Sequence, residues 1–436
     1  MTVAFVTLGC KVNQVDSDAL RQRMEAAGYD CVPPDAKPDV LVINSCAVTA
    51  ESERKTRQKL RHFRALYREC VLVLTGCAVQ VAKAGNYPEA DIILGHRDAV
   101  DLARYIDEFL QTKARVACVS PLQHDEAFDG SACKSIERTR PHLKIEDGCN
   151  QFCAYCIIPH ARGRVRSMPL EAIRREIQSL DAQGFREIVL VGINLAAYGC
   201  DLGCDLGDAL ALFSEIEKSS NIRRVRLGSL EPDLLTPKLL EKISSALYNS
   251  EIELCPHFHV SLQSGCNSVL KRMNRHYMAE EYFITINRLR VLFPGAAITT
   301  DIMVGFPGEC EMEFEESLAF ARSVGFSKMH VFPFSPRPGT AAAAMPGQIP
   351  RAVKQARAKK MLALADECHA NFLNSQIGRV LEVLPEEAHP AGGMRGYSAH
   401  YAPVRIADAG PAQYNQIVPV KIEDIQDGCC VGALSR

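Results

Sequence analysis

Residues 144–167 read KIEDGCNQFCAYCIIPHARGRVRS and contain three cysteines, Cys149, Cys153 and Cys156, in the spacing C-x3-C-x2-C. Three thiolates so spaced can bind three irons of a 4Fe–4S cubane and leave the fourth iron without a protein ligand. That open iron can chelate a small molecule through an amine and a carboxylate, whereas a fully ligated cluster only passes electrons. A zinc site more usually shows two C-x2-C halves, and this segment has one. The spacing therefore indicates a cluster with a vacant coordination position.

The first third of the chain repeats one phrase, an apolar β-branched run followed by a turn residue and a cysteine. The three copies are VAFVTLGC ending at Cys10, VLVINSC ending at Cys46 and VLVLTGC ending at Cys77. Residues 17–27 and 52–67 have helical periodicity, so the pattern predicts a βαβαβ unit with a buried parallel sheet. Parallel strands end at the same edge of their sheet, which should bring the three thiols together. The sequence thus predicts a second metal site, although three separately buried cysteines also fit the pattern.

The middle of the chain, from residue 142 to about residue 335, alternates apolar strand patterns with helical ones. The strand candidates are HLKI from His142, EIVLVG at 187–192, RVRLG at 224–228, HFHVSL at 257–262, ITTDIMVG at 298–305 and MHVFPF at 329–334. Six βα units of this length predict a partial parallel barrel, with its reactive residues on the loops that follow the strands.

The last part of the chain changes character after a Pro-, Gly- and Ala-rich stretch at 336–348. A charged helical pattern runs from Arg351 to about Leu373, and short alternating runs broken by Gly and Pro then predict a small all-β module. We therefore expect an α/β chain of three domains. These are an N-terminal parallel βαβ domain at 1–120, a partial (β/α)6 barrel at 135–370 and an all-β barrel module at 373–436.

The composition predicts a folded protein, and the lack of membrane and export patterns predicts a reducing compartment. The 436 residues are 47% hydrophobic and 23% charged, which is too apolar for a disordered chain. No apolar run reaches the roughly 18 residues of a membrane helix, and the opening MTVAFVTLGC lacks the basic start of a secretory signal. We expect a cytoplasmic location, where the 18 cysteines stay reduced and clustered ones serve metals or catalysis. The net charge of −2 means that a nucleic acid would be held by local basic patches.

The 144–167 segment resembles the cluster-binding loop of the radical S-adenosylmethionine (SAM) enzymes. With the three upstream cysteines, the chain resembles the methylthiotransferase family over essentially its whole length. Further matching segments are LGCKVNQ at 8–14, HVSLQSGCNSVLKRMNRHY at 259–277, DIMVGFPGE at 301–309 and GYSAHYAPV at 396–404. The last of these is similar to the RNA-binding (TRAM-like) β-barrel module that ends such enzymes.

The resemblance implies two 4Fe–4S clusters and SAM as cofactors. The cysteines of the 149–156 loop would hold the cluster that binds SAM and would be catalytic, while the three upstream cysteines would hold an auxiliary cluster that supplies sulfur. Radical chemistry suits the C2–H of an adenine, which is too weakly acidic for a side-chain base to remove. In the family's reaction, reductive cleavage of one SAM yields a 5′-deoxyadenosyl radical and a second SAM donates the methyl group. The implied metal ligands are Cys10, Cys46, Cys77, Cys149, Cys153 and Cys156.

Eight further residues are candidate contacts of SAM. Tyr155 precedes the third loop cysteine, where the superfamily pattern has an aromatic residue near the adenine. Five others follow the second, third and fourth barrel strands, where such barrels place their ligand contacts. These five would equally well support the residues that touch the ligand without touching it themselves. Arg272 and Arg275 fit the SAM carboxylate, an RNA phosphate or ion pairs with nearby acids. The eight are Tyr155, Gly192, Asn194, Ser229, Glu231, Gln263, Arg272 and Arg275.

Basic residues indicate where RNA would bind. Residues 54–68 contain seven Lys or Arg and no acid, on a predicted helix whose inward face is Leu60, Phe63 and Tyr67. Two basic runs beside both cysteine sets favour contact with phosphates over an ordinary solvated face. The second run is Arg162, Arg164 and Arg166. In the acidic tail, unpaired bases are expected to stack on or bond to Arg395, Tyr397, His400 and Tyr401.

The substrate prediction depends on the residues around Cys10. LGCKVNQ, with NSCAVT and GRVRS, most resembles the branch that acts on N6-threonylcarbamoyladenosine next to the tRNA anticodon. The isopentenyladenosine branch tends toward YGCQMN, and the branch that modifies a ribosomal-protein aspartate tends toward LGCPKN. We therefore predict methylthiolation at C2 of threonylcarbamoyladenosine in tRNA. The expected partners are tRNA and a low-potential electron donor, and neither DNA nor a membrane.

Two alternatives remain open at this point. One is the same chemistry on isopentenyladenosine in tRNA or on the ribosomal-protein aspartate. The other is a non-catalytic iron–sulfur protein that binds RNA or transfers electrons, which would normally need a fourth cysteine on its cluster. The remaining 12 cysteines, among them Cys200, Cys204, Cys429 and Cys430, are expected to be structural.

Overall fold

Three units of regular structure follow one another along the chain: a parallel sheet with helices, a partial β/α barrel and a closed β-barrel. The computed structural model describes residues 1–82, 87–123, 127–128, 138–216, 220–248 and 250–435. In those ranges no helix combines the length and the apolar composition that crossing a bilayer requires. The expected α/β class with a small all-β end is confirmed.

The first unit is one parallel sheet of six strands in the order β2-β1-β3-β4-β5-β6. The three predicted strands are confirmed, and the sheet adds three short strands at its edges. α1 begins six residues before the predicted position, because Val12 and Val15 are buried in addition to the predicted face. The strands are β1 Thr2–Thr7, β2 Asp30–Cys31, β3 Val40–Ser45, β4 Val71–Gly76, β5 Ile92–Leu94 and β6 Val116–Cys118, and the helices are α1 Lys11–Ala26, α2 Ala50–Leu66, α3 Cys77–Val81 and α4 Leu102–Thr112.

β3 and β4 carry two cysteines to the carboxyl edge of this sheet. Every side chain of both strands is buried, as expected where helices cover both faces of a parallel sheet. Cys46 follows Ser45 directly, and Cys77 begins α3 directly after Gly76. The φ of Gly76 is +98°, and a Cβ there would overlap the Asn44 side chain and the Ser45 backbone. The sharp turn into Cys77 therefore requires glycine.

The second unit is a curved parallel sheet in which the six predicted barrel strands are confirmed. Its third strand breaks at Gly228 and its fourth at residues 255–256, which divides the sheet into two four-stranded ladders. The short antiparallel pair β8–β9 encloses the cysteine loop. The strands are β7 His142–Lys144, β8 Glu146–Asp147, β9 Arg166–Ser167, β10 Glu187–Val191, β11 Arg224–Leu227, β12 Ser229–Leu230, β13 Glu253–Leu254, β14 His257–Val260, β15 Ala297–Val304 and β16 Lys328–Pro333.

Helices cover the outer face of this barrel, and α1 of the first unit fills part of its interior. Ile188 and Leu190 of β10 belong to the large core beneath the outer helices, whereas Val189 and Val191 pack against Val15 of α1. The first unit therefore closes the open barrel. The helices are α5 Ile158–Arg162, α6 Leu170–Ala182, α7 Leu206–Ser214, α8 Pro237–Ser245, α9 Asn267–Arg272, α10 Ala279–Leu292, α11 Glu311–Val324 and α12 Ala341–Ala344, and short 3-10 turns span Asp98–Asp101, Leu195–Ala197, Pro232–Leu234 and Pro411–Gln413.

The third unit follows the long helix α13, Arg351–Asn374, and is a closed barrel in the order β17-β18-β19-β21-β20. The predicted helix and the predicted all-β module are both confirmed. Cys430 is fully buried in the barrel core with Val383, Val404 and Val420. The strands are β17 Val380–Ala388, β18 Met394–Ser398, β19 Pro403–Ile406, β20 Val418–Gln426 and β21 Cys429–Leu434.

A buried carboxylate joins the second unit to the third. Glu187 accepts hydrogen bonds from Nε of Arg224 at 2.6 Å and Nε of Arg226 at 2.7 Å. Burial by itself would raise the pKa of Glu187, but the two guanidinium groups outweigh it and hold that pKa well below its ordinary value. The other guanidinium N–H groups donate to carbonyl oxygens of the closed barrel, which are those of Glu382, Tyr397, Ser398 and Ala399.

We expect Glu187→Gln to lower the free energy of unfolding by about 3–5 kcal/mol, because two buried guanidinium groups lose their counter-charge. The pKa of Glu187 is lower in the folded state than in the unfolded state. Its stabilisation is therefore present at neutral pH and is lost only as the pH falls through the folded-state pKa. Urea unfolding at pH 7 and at successively lower pH measures both effects.

Glu171→Gln is the matched control. Glu171 lies on the exposed side of α6, where it pairs with Arg174 and Arg175, and its side chain is 67% exposed. Its removal should change the unfolding free energy by less than about 0.5 kcal/mol. Equal stability of the two variants at pH 7 would contradict the role given to Glu187.

Candidate functional site

The loop that carries Cys149, Cys153 and Cys156 is closed by its own backbone. Cys149 N donates to the Gly163 carbonyl at 3.1 Å, and Cys156 N donates to the Cys153 carbonyl at 2.9 Å. Gly148 has a φ of +87°, and a Cβ there would overlap the backbone of the opposite side of the loop. The sequence DGC before the loop is therefore fixed by a turn that only glycine can make.

The three loop thiols lie close enough to affect one another. Burial raises the pKa of Cys149 and of Cys156 to about 12, and neighbouring loop thiols contribute to both shifts. Burial also raises the pKa of Cys153, against the opposing charge of Arg275. Buried thiols of this kind become thiolates when a metal binds them, so the loop has the donor chemistry of a metal site.

Arg275 connects the loop to the barrel. Its Nη1 donates to Cys153 Sγ at 3.1 Å and to the Tyr155 hydroxyl at 3.4 Å. Its Nη2 pairs with Glu231 and donates to the Ser261 carbonyl at 3.2 Å. Three of the predicted SAM contacts, Tyr155, Glu231 and Arg275, thus meet beside one loop cysteine.

Arg272 takes a different position. Its two terminal nitrogens form a bidentate pair with Glu313 of α11, at 2.9 and 2.7 Å. Of the three roles that the sequence left open for Arg272, the structure shows the ion pair with a nearby acid.

The other predicted contacts lie where barrel strands end. Gly192 follows β10, and a Cβ there would meet the carboxylate of Glu146. Asn194 N donates to the same carboxylate at 2.7 Å. Within the described residues, Glu146 Oε1, Asn194 Oδ1 and Gln263 Oε1 are buried side-chain oxygens without a hydrogen-bond partner. Ser229 is half-buried at the start of β12. Orphaned acceptors at the strand ends fit a ligand that donates through amino or hydroxyl groups.

Cys10, Cys46 and Cys77 meet at one edge of the N-terminal sheet. Cys10 is exposed and its Sγ donates to Asn13 Oδ1 at 3.2 Å, while the other two thiols are buried. A Cβ on Gly9 would lie 3.0 Å from Cβ of Cys46, so the Cys10 turn runs directly beside Cys46. Burial raises the pKa of Cys77 to about 12, and the thiols of Cys10 and Cys46 add to that shift. The sheet therefore brings three residues together that are up to 67 positions apart in the printed sequence.

The two cysteine trios are neighbours. α3, which begins at Cys77, packs against α5, which begins two residues after Cys156. Ala47, Cys77, Ala78, Ile157 and Ala161 form one apolar cluster at this contact. The N-terminal trio and the loop trio consequently lie on either side of a single helix–helix contact.

Arg162, the last residue of α5, is buried at this junction. It donates from Nη1 to both oxygens of Asp147, at 3.1 and 3.0 Å, and from Nη2 to Asp16 at 2.8 Å. Lys144 pairs with the same two acids, and these four side chains line a cavity of about 470 Å³ between the first two units. The prediction that Arg162 belongs to a basic surface patch is wrong, because its side chain is buried and pairs with Asp147 and Asp16.

The donor chemistry of both trios fits iron–sulfur clusters. Among the described residues, no three His, Cys, Asp or Glu side chains are close enough together to hold a single metal ion. A 4Fe–4S cluster asks for a different arrangement, because each thiolate binds a different iron. Nε of Arg162 is buried without a partner in the described ranges, and the charge of Arg162 favours the thiolate of Cys77. The charge of Arg275 favours the thiolate of Cys153 in the same way.

The basic residues of α2 fall into paired and unpaired groups. Leu60 and Phe63 are buried in the sheet core, as predicted. Lys55, Lys59 and Arg68 are exposed, and no ion pair involves them in the part of the chain that the structure describes. The paired residues are Arg54 with Glu51, Arg57 with Glu53, Arg61 with Glu89 and Arg64 with Asp91.

The second basic run is reduced to one exposed residue. Arg164 is exposed and lies over the Phe152 ring, 4.4 Å from its centre. Arg166 is half-buried and donates to the Arg162 carbonyl at 2.8 Å. A continuous basic patch beside the loop is therefore absent, because two of its three members point into the protein.

Two aromatic residues of the tail connect the units of the chain. Tyr397 and Tyr401 stack with ring centres 4.9 Å apart, and Arg140 lies over both rings. His257 of the barrel contacts Tyr401 as well, at 4.8 Å between ring centres. These rings hold the third unit on the second, and the half-buried His400 and the exposed Arg395 lie beside them in sequence.

Comparisons with known proteins agree with this geometry. A family model described as the radical SAM superfamily matches residues 143–321, and one described as uncharacterized protein family UPF0004 matches residues 2–95. A Bacillus subtilis protein, threonylcarbamoyladenosine tRNA methylthiotransferase MtaB, is 36% identical over 97% of this chain and 93% of its own. A Pelotomaculum thermopropionicum protein, tRNA-2-methylthio-N(6)-dimethylallyladenosine synthase, is 31% identical over 99% and 97%. The chain belongs to the radical SAM methylthiotransferase family.

Solved structures of other radical SAM enzymes share the fold. The methyltransferase TsrM from Kitasatospora setae superposes with a TM-score of 0.57 at 15% identity, over 78% of this chain and 74% of that chain. The cobalamin-dependent enzyme OxsB gives 0.53 at 11% identity, over 84% and 56%. At such low sequence identity, the superposition shows a shared fold and nothing about the reaction. As a member of the methylthiotransferase family, the chain is an enzyme that uses a 4Fe–4S cluster and SAM.

Several residues of this site were not predicted from the sequence. Glu146 and Asp147 stand in the quoted loop segment, yet their roles depend on Asn194, Arg162 and Asp16 from distant parts of the chain. The one sequence signal that could have indicated them is their position after a predicted strand and directly before a cysteine loop.

Arg275→Met should weaken SAM binding about 10-fold or more, because Glu231 loses its cation and Tyr155 and Cys153 lose a shared donor. Equilibrium dialysis of labelled SAM against anaerobically reconstituted protein of known iron content measures this. Arg272→Met is the matched control from the same motif. The affinity of this variant for SAM should stay within about 2-fold of wild type, because Arg272 is paired with Glu313. Equal affinities of the two variants would contradict the position assigned to Arg275.

Proposed function

We propose that this enzyme transfers a methylthio group to C2 of N6-threonylcarbamoyladenosine next to the anticodon of tRNA. The observation that carries the proposal is the meeting of two cysteine trios across the α3–α5 contact, which gives one site two sets of iron ligands. The motif LGCKVNQ supports this substrate. So do the MtaB proteins of Bacillus subtilis, Thermotoga maritima and Aquifex aeolicus, which are named for threonylcarbamoyladenosine tRNA and are 35–36% identical to this chain.

In this proposal the chain holds two 4Fe–4S clusters and SAM. The loop cysteines Cys149, Cys153 and Cys156 ligate the cluster that binds SAM, and the N-terminal trio ligates an auxiliary cluster. When bound, these groups supply the radical that opens the C2–H bond, the sulfur and the methyl group. Arg272 is left out of the SAM site because of its ion pair. The residues proposed to contact SAM are Tyr155, Gly192, Asn194, Ser229, Glu231, Gln263 and Arg275.

The protein's own part is orientation and exclusion of water. Arg275 fixes Tyr155 and Glu231 beside Cys153, so the ligand meets one rigid arrangement of polar groups. Val15 of α1, packed on β10, keeps the barrel interior apolar at that point. Arg162 places a positive charge where the N-terminal thiolates need one.

We further propose that exposed cations of α2 contact tRNA phosphates. Lys55, Lys59 and Arg61 are exposed on a helix that begins four residues after Cys46. The closed barrel at 373–436 positions the RNA, and the domains extend over 1–120, 135–370 and 373–436. A low-potential electron donor and a cytoplasmic location complete the proposal.

One other substrate has specific support. The dimethylallyladenosine synthases of Pelotomaculum thermopropionicum and Syntrophotalea carbinolica are 31% and 32% identical to this chain. Their identity is lower than that of the three MtaB proteins, which favours threonylcarbamoyladenosine. Membership in a family of enzymes removes the non-catalytic alternative.

Nucleoside mass analysis of synthetic anticodon stem-loops tests the substrate. The reconstituted enzyme, given SAM, sulfide and dithionite, should convert a stem-loop that carries N6-threonylcarbamoyladenosine to its 2-methylthio form. It should leave a stem-loop with unmodified adenosine unchanged. Conversion of an isopentenyladenosine stem-loop alone would overturn the proposal in favour of the second substrate.

Cysteine variants separate the two proposed clusters in the same assay. Cys153→Ala should retain about four of about eight irons and form no 5′-deoxyadenosine, because the SAM-binding cluster is lost. Cys46→Ala should also lose about four irons but still cleave SAM without methylthio product. Cys200→Ala, at an exposed cysteine outside both trios, should match wild type. Normal methylthio product from Cys46→Ala would refute the auxiliary cluster.

Replacing Lys55, Lys59 and Arg61 together with Gln should weaken tRNA binding about 10-fold or more at low salt and flatten its salt dependence by about two to three charges. Arg61 is included because its side chain is 71% exposed although it pairs with Glu89, whereas the paired side chains of Arg57 and Arg64 are 42% and 29% exposed and are left intact. Electrophoretic mobility shifts over a range of salt concentrations measure the change.

The matched control removes the same charge from exposed lysines elsewhere, Lys113, Lys238 and Lys359. Its affinity should fall far less, because only contacts with phosphate contribute strongly to the salt slope. Indistinguishable curves for the two triple variants would leave α2 as an ordinary solvated face.

A further inference from the structure

The last strand of the partial barrel carries polar side chains on the face opposite its core. β16 is the edge of its ladder, where it pairs only with β15 in the described residues. Met329 packs into the core beneath the helices, whereas Lys328 and His330 alternate with it and are exposed. Lys328 and His330 therefore stand on the face of the sheet opposite the helix-covered core.

His259 of β14 and Asp301 of β15 lie beside His330. His259 Nδ1 lies 3.0 Å from the Thr299 hydroxyl, and its Nε2 lies 3.4 Å from Asp301. The His330 ring is 6.0 Å from the His259 ring, between centres. These strands therefore present two imidazole rings and one carboxyl group on the same face.

Lys11 lies near His330 and Tyr401. It is the first residue of α1 and follows Cys10 directly. Its charge acts on His330, and its ammonium lies 5.9 Å from the centre of the Tyr401 ring. Within the described residues no carboxylate oxygen lies within 4.0 Å of that ammonium. Lys11 is thus a half-buried cation without an acidic partner among the described residues.

The neighbouring cations differ from Lys11 in this respect. Arg224 and Arg226 are both paired with Glu187, and Arg140 is paired with Glu386. Glu187 is the nearest acid to Lys11 in this cluster, and its two oxygens already accept from those two arginines. A half-buried cation that the fold leaves unpaired, where the neighbouring cations are all paired, is placed to bind an acidic ligand.

The proposed substrate has such a group. The threonylcarbamoyl substituent ends in a carboxylate and a hydroxyl, whereas the dimethylallyl substituent is a hydrocarbon. In adenine, C2 and N6 lie on either side of N1, on the same edge of the base. Because Lys11 directly follows Cys10, a base whose C2 lies near Cys10 has its N6 substituent within reach of the lysine side chain.

We propose that Lys11 binds the carboxylate of the threonylcarbamoyl group and so selects this nucleoside over adenosines with apolar N6 substituents. This inference rests on the proposed function. It assigns Lys11 to substrate selection and leaves the cluster ligands and the SAM contacts unchanged.

The test compares two stem-loops, one with N6-threonylcarbamoyladenosine and one with its methyl ester, which keeps the shape and removes the charge. Wild type should show a KM about 10- to 100-fold lower for the acid than for the ester. Lys11→Met should raise the KM for the acid by a similar factor and treat acid and ester alike. Lys11→Arg should restore most of the preference, and Lys238→Met, at an exposed lysine of α8, should keep all of it.

The outcomes separate this inference from the function on which it rests. Wild type that methylthiolates neither threonylcarbamoyl stem-loop overturns the proposed function. Wild type that uses acid and ester equally well, or Lys11→Met that still prefers the acid, overturns the role of Lys11 alone. Iron content and 5′-deoxyadenosine formation are measured for each variant. If Lys11→Met takes up no iron, wild type and Lys11→Arg test the role of Lys11 instead. Both should prefer the acid to the ester, and the absence of that preference overturns the role.

Discussion

The packing of α3 on α5 is the contact on which the rest of the site depends. α3 begins at a cysteine of the N-terminal sheet, and α5 follows the cysteine loop of the barrel, so this one interface sets the separation of the two trios. Its side chains are small and apolar, among them Ala78 and Ala161, and close packing leaves the two helices little freedom to shift. Sulfur and radical chemistry can share a substrate only if their sources are held at a fixed distance, and this interface holds the residues proposed for both.

Pairing of buried charge distinguishes structural cations from functional ones. Arg162 and Arg226 are among the most deeply buried side chains of the protein, and each is held by acids that are themselves buried. Such groups fix the arrangement of the units, because removing either partner leaves an uncompensated charge away from water. Arg275 also has an acidic partner, but its remaining N–H groups reach a cysteine and a tyrosine of the loop. Lys11 alone among these has no acidic partner in the described part of the chain.

The fold is shared more widely than the chemistry. TsrM and OxsB superpose on most of this chain at 15% and 11% identity, so the arrangement of a parallel sheet before a partial barrel does not specify a reaction. In the present chain, three cysteines lie at the edge of the first sheet. The buried strands β3 and β4 and the turn at Gly76 produce that placement, and each follows from an apolar run ended by a small or polar residue.

The sequence by itself determined the fold class, the six barrel strands, the closed β-barrel and the family, because hydrophobic periodicity and cysteine spacing are local patterns. It also indicated that Cys10, Cys46 and Cys77 meet, since parallel strands deliver their ends to one edge. Only the tertiary structure decided what each charged residue does. Arg272 and Arg275 stand three positions apart in one motif, yet one pairs with Glu313 and the other reaches Cys153. The sequence predicts Arg162 to be a surface cation, but in the structure it is buried and paired with Asp16 and Asp147. The energy of a charge depends on its burial and on partners from distant segments, and neither is written in the residues beside it.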